Sequence, residues 1–115
     1  TEIERLRLAN NEPLVHELIW VPGKLCADLH LKDLANISLN DILWQDYGIS
    51  LKRAVESIEP KAAEEYNAKL LGIKEQSLLL HVEHTAYDTK NRIIYFVSSI
   101  YRGDRVKFSI ELSAT

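Results

Sequence analysis

The chain has 115 residues, of which 46% are hydrophobic and 27% charged, and its formal net charge is −3. This composition supports one folded domain with a buried core and excludes an intrinsically disordered chain. The negative charge argues against a surface that grips nucleic acid by itself. The longest apolar run, residues 93–97, is far shorter than the roughly 20 residues that cross a bilayer, and no secretory leader opens the chain.

Cys26 is the single cysteine, and the sequence contains no methionine. One cysteine excludes an internal disulfide and a Cys-x-x-Cys metal site, which favours a reducing, cytoplasmic location. Because the chain begins with Thr1 and lacks a methionine, we expect it to be a segment of a longer polypeptide.

The first two predicted elements are strands joined by a short turn. Residues 3–8 alternate between apolar and charged side chains, residues 10–13 have the composition of a turn, and residues 14–21 form a second, mainly apolar segment. Two strands this close in sequence predict an antiparallel hairpin.

The register of this hairpin decides which side chains share a face with Arg5 and Arg7. A two-residue turn places the even-numbered residues of the second strand there. A three-residue loop with a bulge places the odd-numbered residues there instead, including Val15 and Glu17. The sequence leaves both registers open.

The next predicted element is a helix. Residues 24–36 have weak signals and predict a loop with one short helical turn. Ser38 followed by Asp41 is typical of a helix start, with the serine as N-cap and a carboxylate in the first turn. Apolar residues at helical spacing continue to Tyr47, and Gly48 has the place of a capping glycine.

The second half of the chain predicts one more helix among strands. Residues 51–58 alternate weakly and predict a strand. Glu59 and Pro60 then predict a helix with proline in its first turn, which ends at Gly72. Three strands follow and form a meander: residues 77–87, 92–101 and 105–112. This order predicts an α+β domain, with an antiparallel sheet of about six strands and helices packed against it.

Arg5 and Arg7 are the first candidate for binding chemistry. Two guanidinium groups at positions i and i+2 lie on the same side of a strand and repel each other unless an anion lies between them. They predict either a clamp for a carboxylate or phosphate, or a solvated strand face with glutamates nearby. Taken alone, the solvated face is the more common arrangement.

The helix start at Ser38 is the second candidate. Unpaired N–H groups and a partial positive charge make a helix N-terminus attractive to anions. Ordinary capping explains the same residues, and the carboxylate of Asp41 already satisfies part of that positive end.

Metal binding and catalysis find little support. Alternation along a strand places His84 on the opposite face from His81 and Glu83, whereas zinc needs at least three convergent ligands. Cys26 has His30 nearby but no orienting third group, and no glycine-rich phosphate loop is present. The sequence therefore predicts no metal, no cofactor and no enzymatic activity.

Several short strings, taken in order, carry a resemblance to one family. They are Ile3-Glu-Arg-Leu-Arg, Asn11-Glu-Pro, Ser38-Leu39, Tyr47-Gly48-Ile49, Tyr87-Asp88 and Tyr101-Arg-Gly-Asp-Arg-Val-Lys-Phe108. Over essentially the whole chain, residues 1–115, this pattern resembles the UTRA domain, the effector-binding half of HutC-type GntR-family bacterial transcription regulators. The resemblance implies a chorismate-lyase-like α+β fold, a small-molecule site and a homodimer. It also implies a winged helix-turn-helix domain before Thr1 that binds operator DNA.

The resemblance further implies which residues hold an effector. In sugar-phosphate-responsive members, the two arginines and the helix-opening serine hold the phosphate, and they correspond here to Arg5, Arg7 and Ser38. Contacts with the rest of the ligand are implied for Glu17 and Tyr101. This assignment requires Glu17 to share a face with both arginines, which favours the bulged register.

Two departures from the family pattern lie in the part of the implied site that contacts the ligand away from its phosphate. Asn40 stands where the family commonly has a tyrosine, and Tyr95-Phe96 stands where it commonly has Glu-Tyr. We expect Asn40 and Tyr95 to contact the ligand in their place. Arg5, Arg7 and Ser38, which the resemblance assigns to the anion, match the family pattern. The resemblance therefore predicts an anionic effector, with a phosphorylated sugar as the first choice.

The leading functional prediction is a dimeric effector-sensing domain that controls operator binding by an attached DNA-binding domain, without membrane contact. One alternative is a chorismate-lyase-like enzyme, for which Glu17 is the only evident general acid. The other is a ligand-free dimerisation module. In that case Arg5 and Arg7 pair with glutamates across strands, and no pocket lies beneath the first hairpin.

Overall fold

The computed structural model describes residues 2–24 and 39–114. Its elements are β1 (Glu2–Ala9), β2 (Glu12–Trp20), α1 (Leu39–Tyr47), β3 (Arg53–Ala62), α2 (Glu65–Leu71), β4 (Leu78–Tyr87) and β5 (Ile93–Arg102). The strands form one antiparallel sheet in the order β1-β2-β5-β4-β3, which confirms the predicted α+β class. Cys26, Ser38 and nearly all of the predicted loop over residues 24–36 lie outside the described residues.

The first hairpin combines a tight turn with a bulge. Asn10 and Asn11 have positive φ values of 52° and 64°, so they form the two-residue turn typical of antiparallel hairpins. The register then shifts by one residue just beyond the turn, beside Pro13, whose missing N–H suits an interrupted ladder. The shift brings the odd-numbered residues of β2 onto the face of Arg5 and Arg7. The hairpin therefore has the turn of one predicted register and the facing residues of the other.

One face of the sheet packs against α1. The larger apolar cluster joins this helix to β2 and β5, and Leu43, Ile19 and Ile94 within it are at most 2% exposed. At the end of α1, Gly48 has a φ of 66° and the N–H of Ile49 donates to the carbonyl of Leu43. This is the glycine-capped helix end that the sequence predicted.

The opposite face is partly covered by α2. Ala63, Leu71 and Leu79 belong to a second apolar cluster beneath this helix. α2 ends at Gly72, which has a φ of 66° and donates its N–H to the carbonyl of Ala68, so the predicted end of this helix is confirmed. Within residues 2–24 and 39–114, neither helix has the length and apolar character that crossing a membrane requires.

The predicted start of the second helix at Glu59 and Pro60 is wrong. β3 continues through both residues to Ala62, and α2 begins only at Glu65. β3 is an edge strand of the sheet. An edge strand tolerates proline because the N–H group that proline lacks need not donate to a neighbouring strand there. The pairing with β4 thus overrides the local helix signal of Pro60.

The predicted strand over residues 105–112 does not form. Both edges of β5 are already paired, with β2 on one side and β4 on the other. A strand that follows β5 directly therefore finds no free edge beside it, since the outermost of the described strands are β1 and β3. The described residues accordingly form five strands rather than about six.

The turn between β4 and β5 is held by Asp88. Its buried carboxylate accepts hydrogen bonds from the backbone N–H groups of Lys90 and Arg92 and from Nε of Arg92, at 2.8–2.9 Å. These bonds, led by the one from the Arg92 backbone, lower the pKa of the Asp88 carboxyl. The side chain therefore links the two strands most strongly when it is ionised.

We expect acid to weaken the fold through this carboxylate. Because the pKa of Asp88 is lower in the folded than in the unfolded state, its contribution is present above about pH 4 and is lost as the pH falls through the folded-state value. Asp88→Asn should therefore melt at a lower temperature than the wild type at neutral pH. Its melting temperature should also fall less than that of the wild type when the pH is lowered. Thermal melts between neutral pH and about pH 2 measure both effects.

The matched control for this prediction is Glu75→Gln, which removes an exposed carboxylate from another turn. Its melting temperature should follow the wild-type curve across the pH range. Equal acid sensitivity of the wild type and Asp88→Asn would contradict the role of Asp88.

Candidate ligand-binding site

A cavity of about 520 Å³ lies on the face of the sheet that carries α1. Side chains of β2, β4 and β5 form its floor, among them Ile19, Val82 and Val97. Leu39 and Asn40 line it from the first turn of α1. β1 and β3, the two edge strands, supply charged side chains from opposite sides.

The strand register arranges the lining side chains in rows across the sheet. Arg5 is paired with Glu17, and Glu17 is paired with Ser99 on β5. The neighbouring row on the same face contains Arg7 and Tyr101, both paired with the same residue of β2. Side chains in one row and on one face are direct neighbours, so the sheet brings these groups together.

Arg5 and Arg7 both approach the carboxylate of Glu17. Nη2 of Arg5 lies 3.3 Å from Oε1 of Glu17, and Nη1 of Arg7 lies 3.8 Å from the same oxygen. The side chains of Glu17 and Arg5 are 10% and 19% exposed, whereas that of Arg7 is 62% exposed. Two guanidinium groups and one carboxylate leave one net positive charge at this end of the cavity.

Oε1 of Glu17 is buried and has no aligned hydrogen-bond donor within the described residues, although both arginines are close enough for ion pairing. A buried carboxylate oxygen normally accepts hydrogen bonds, and leaving one unsatisfied costs free energy. The two guanidinium groups therefore compensate the charge of this oxygen without completing its hydrogen bonding.

Tyr101 lies on β5, between the strands that carry Glu17 and Glu56. Burial raises the pKa of its phenol, and the negative charges of Glu17 and Glu56 raise it further because they disfavour a phenolate. The hydroxyl of Tyr101 is thus protonated at neutral pH and available as a donor. The ring of Phe108 packs edge-on against Tyr101, with the ring centroids 5.1 Å apart.

Asn40 and Tyr95 connect α1 to the sheet. The hydroxyl of Tyr95 donates a hydrogen bond of 2.9 Å to Oδ1 of Asn40. Burial raises the pKa of the Tyr95 phenol because it disfavours the phenolate. The two residues at which the sequence departs from the family pattern therefore contact each other in the cavity wall.

Six of the seven residues that the sequence predicts as ligand-binding line this cavity: Arg5, Arg7, Glu17, Asn40, Tyr95 and Tyr101. The seventh, Ser38, lies outside the described residues. The structure thus places the predicted anion-binding arginines and the predicted specificity residues around one space.

Glu56 and His84 also line the cavity and were not predicted as ligand-binding residues. They are paired directly across β3 and β4, and Nδ1 of His84 lies 3.2 Å from Oε1 of Glu56. The ring of His84 stacks on that of Tyr95, with centroids 5.9 Å apart and planes inclined by 14°. Alternation along β4 could have placed His84 on the face of Val82, but only the pairing with β5 makes that face the cavity floor.

His81 lies on the opposite face of β4 from His84, as alternation predicts. Its Nε2 lies 2.9 Å from Oγ of Ser98, and its Nδ1 lies 3.3 Å from Oε1 of Glu59. No three His, Cys, Asp or Glu side chains in the described ranges are arranged to hold a metal ion. Each histidine of the pair instead has a glutamate partner on β3.

Comparison with known protein families gives one assignment. The family model described as the UTRA domain matches residues 1–107 of the chain. The chain belongs to the UTRA domain family. This UTRA domain is 32% identical over 107 residues to the HTH-type transcriptional repressor NagR of Bacillus subtilis (strain 168), and the match covers 93% of the chain and 44% of NagR. The chain therefore spans less than half the length of that relative.

Solved structures share the fold of the UTRA domain. A GntR-family transcriptional regulator from Enterococcus faecalis V583 matches with a TM-score of 0.88 and 25% identity over 96% of this chain and 79% of that one. The effector domain of PhnF from Mycobacterium smegmatis matches with a TM-score of 0.90 and 24% identity, over 98% and 69% of the two chains. The predicted fold and the predicted family are both confirmed.

Proposed function

We propose that this UTRA domain senses a small anionic effector, in the first place a phosphorylated sugar, for a GntR-family transcription regulator of the HutC type. The observation that carries the proposal is the pair of arginines, Arg5 and Arg7, at one end of a cavity of about 520 Å³. A cavity of this volume has the size of ordinary metabolite sites.

The two arginines have different tasks in this proposal. Glu17 holds the guanidinium of Arg5 at the cavity floor, while the more exposed Arg7 remains accessible to an incoming anion. Guanidinium groups bind phosphate through charge-assisted, often bidentate hydrogen bonds. The protonated hydroxyl of Tyr101 supplies a further donor in the same row as Arg7.

The coupling to DNA would act through β1. Both arginines lie on this edge strand, which pairs only with β2 among the strands that the structure describes, so a bound anion favours one position of β1 relative to the rest of the sheet. We propose that a DNA-binding domain precedes β1 and alone contacts operator DNA. The effector would then shift the population of domain arrangements, with no catalytic step. The homodimer implied by the family stays a prediction, which analytical ultracentrifugation would test.

The two alternative functions have less support. A ligand-free dimerisation module predicts no pocket beneath the first hairpin, whereas the cavity lies there, lined by Arg5, Arg7 and Glu17. The lyase alternative depends on Glu17 as general acid, and this side chain is already engaged by the two arginines.

A thermal-shift screen tests the proposal. The chain should melt roughly 10 °C higher with a fitting phosphorylated sugar at 100 times its dissociation constant, because binding then adds about 2.7 kcal/mol to folding stability. Each unphosphorylated parent sugar is the matched control and should leave the melting temperature unchanged. Small carboxylates complete the panel. Equal shifts with phosphorylated and parent sugars, or no shift with any anion, would contradict an anion-sensing function.

A further inference from the structure

The segment that follows β5 is extended but has no strand partner within the described residues. Residues 106–112, here called the C-terminal arm, alternate between apolar and polar side chains, as a strand with one apolar face does. The apolar members are Val106, Phe108, Ile110 and Leu112. No backbone hydrogen bond joins the arm to any other part of the chain that the structure describes.

The beginning of the arm is fixed to the sheet by two side-chain contacts. Just before the arm, Nη1 of Arg105 lies 2.8 Å from Oε2 of Glu12 at the start of β2. Within the arm, the ring of Phe108 packs edge-on against the ring of Tyr101 on β5. These contacts set the path of the chain as far as Phe108.

Beyond Phe108, the apolar side chains of the arm are in water. Ile110 is 79% exposed and Leu112 is 89% exposed. Neighbouring exposed apolar side chains on a protein surface commonly mark an interaction site. An extended segment with this pattern is suited to pair as an added strand with the exposed edge of a sheet.

The same chain offers an exposed sheet edge at β3. Among the described strands, β3 pairs only with β4, and all 10 of its residues are exposed. An uncovered edge strand of this length is a template for pairing with another chain. Pro60 has no N–H group to donate, so we expect the pairing to lie along residues 53–59, which equal the arm in number.

A second copy of the chain satisfies both elements at once. Within one copy, β2 and β4 already occupy the two edges of β5, so the arm has no edge beside it. Each copy carries one arm and one β3 edge. Two copies related by a two-fold axis can therefore exchange arms reciprocally, and the assembly closes at two chains.

We propose that the C-terminal arm adds as a strand to β3 of a second copy of this chain, with Ile110 and Leu112 as its apolar anchors. The contact rests on the homodimer of the proposed function and names the elements that form it. It does not depend on which effector the cavity binds.

Analytical ultracentrifugation of the 115-residue chain over a dilution series tests the role of the arm. Ile110→Asp combined with Leu112→Asp should raise the dissociation constant of the dimer by at least about 100-fold, because two apolar anchors are replaced by charges. Ser109→Asp is the matched control, since it adds the same charge to the polar side of the arm. Its dissociation constant should stay within about threefold of the wild-type value. Far-UV circular dichroism shows that both variants fold, as expected for side chains that are exposed in the single chain.

Cross-linking tests the assignment of the arm to β3. Ser109 and Ser57 lie at or next to the middle of the two segments, so they should be close whether the strands run parallel or antiparallel. Ser109→Cys and Ser57→Cys, each with Cys26→Ser, are mixed and treated with a short bismaleimide, and mass spectrometry identifies the linked peptides. Leu6→Cys replaces Ser57→Cys in the control mixture, because Leu6 is exposed on β1 at the other edge of the described sheet. Only the first mixture should give a linked pair.

Each result bears on a different part of the proposal. A wild-type dimer that persists unchanged in the double arm variant would overturn the role of the arm, while the homodimer itself stands. A link from Ser109→Cys to Leu6→Cys but not to Ser57→Cys would overturn the assignment to β3. A wild type that stays monomeric at the highest concentration would overturn both the arm contact and the homodimer, whereas effector sensing is judged separately by the thermal-shift screen.

Discussion

Arg7→Ala should weaken the binding of a phosphorylated sugar by about 10- to 150-fold. The change removes one charge-assisted hydrogen bond, worth about 1.5–3 kcal/mol, from the anion end of the cavity. Because the side chain of Arg7 is 62% exposed and 3.8 Å from Glu17, folding stability should change by no more than about 0.5 kcal/mol. Titration calorimetry with the ligand found by thermal shift measures the loss directly.

Arg5→Ala should weaken the binding of the same ligand to a similar extent and should also lower the melting temperature of the protein. Its guanidinium is the closer partner of the buried Glu17 carboxylate, so its removal leaves a buried charge poorly compensated. The two variants therefore separate a purely ligand-facing arginine from one that also supports the cavity floor. Glu17→Gln combined with Arg5→Ala should recover part of the lost stability, because the uncompensated charge is then gone.

Arg53→Ala is the matched control for both arginine variants. Arg53 packs on the ring of Tyr87 at 4.0 Å and does not line the cavity, so its replacement should leave ligand affinity unchanged. Unchanged affinity in both Arg5→Ala and Arg7→Ala would remove the basis of the anion-binding assignment. If Arg53→Ala lost as much ligand affinity as the other two variants, a long-range charge effect would be indicated instead.

Leu43→Ala should lower the free energy of unfolding by about 2–5 kcal/mol, the usual range for truncating a fully buried leucine. Leu43 is 1% exposed and lies in the cluster that joins α1 to the sheet. The same helix carries Leu39 and Asn40 in the cavity wall, so a loosened α1 should weaken ligand binding as well. Urea denaturation measures the stability change, and titration calorimetry measures the affinity.

Gln45→Ala is the control on the same helix, since Gln45 is exposed. It should change the free energy of unfolding by no more than about 0.5 kcal/mol. If Leu43→Ala lowered the free energy of unfolding by less than about 1 kcal/mol, the surrounding side chains would have filled the space left by the leucine. That result would contradict a tightly packed contact between α1 and the sheet.

The sequence predicted those features that depend on neighbouring residues. Asn10 and Asn11 tolerate positive φ, and the turn of the first hairpin lies at these two residues. Gly48 and Gly72 end the two helices, as the sequence predicted. Each of these signals acts within one turn of chain and needs no distant partner. The combination of Arg5 and Arg7 on one strand face is local in the same sense.

Features that depend on which strands are neighbours were predicted less well. Pro60 carries a local helix signal, but pairing with β4 keeps it in an edge strand. Residues 105–112 alternate as a strand does, yet β5 has no free edge beside it. The hairpin bulge also escaped a unique prediction, because two registers satisfied the same alternation.

By itself, the sequence determined that the chain is an α+β domain of the UTRA family and that Arg5 and Arg7 form a cationic pair. Alternation with period two states which residues of one strand share a face. It does not state which strands lie side by side, since that depends on contacts between residues far apart in the chain. Only the tertiary structure therefore decided that Glu17 lies between the two arginines and that Glu56 and His84 face them across one cavity.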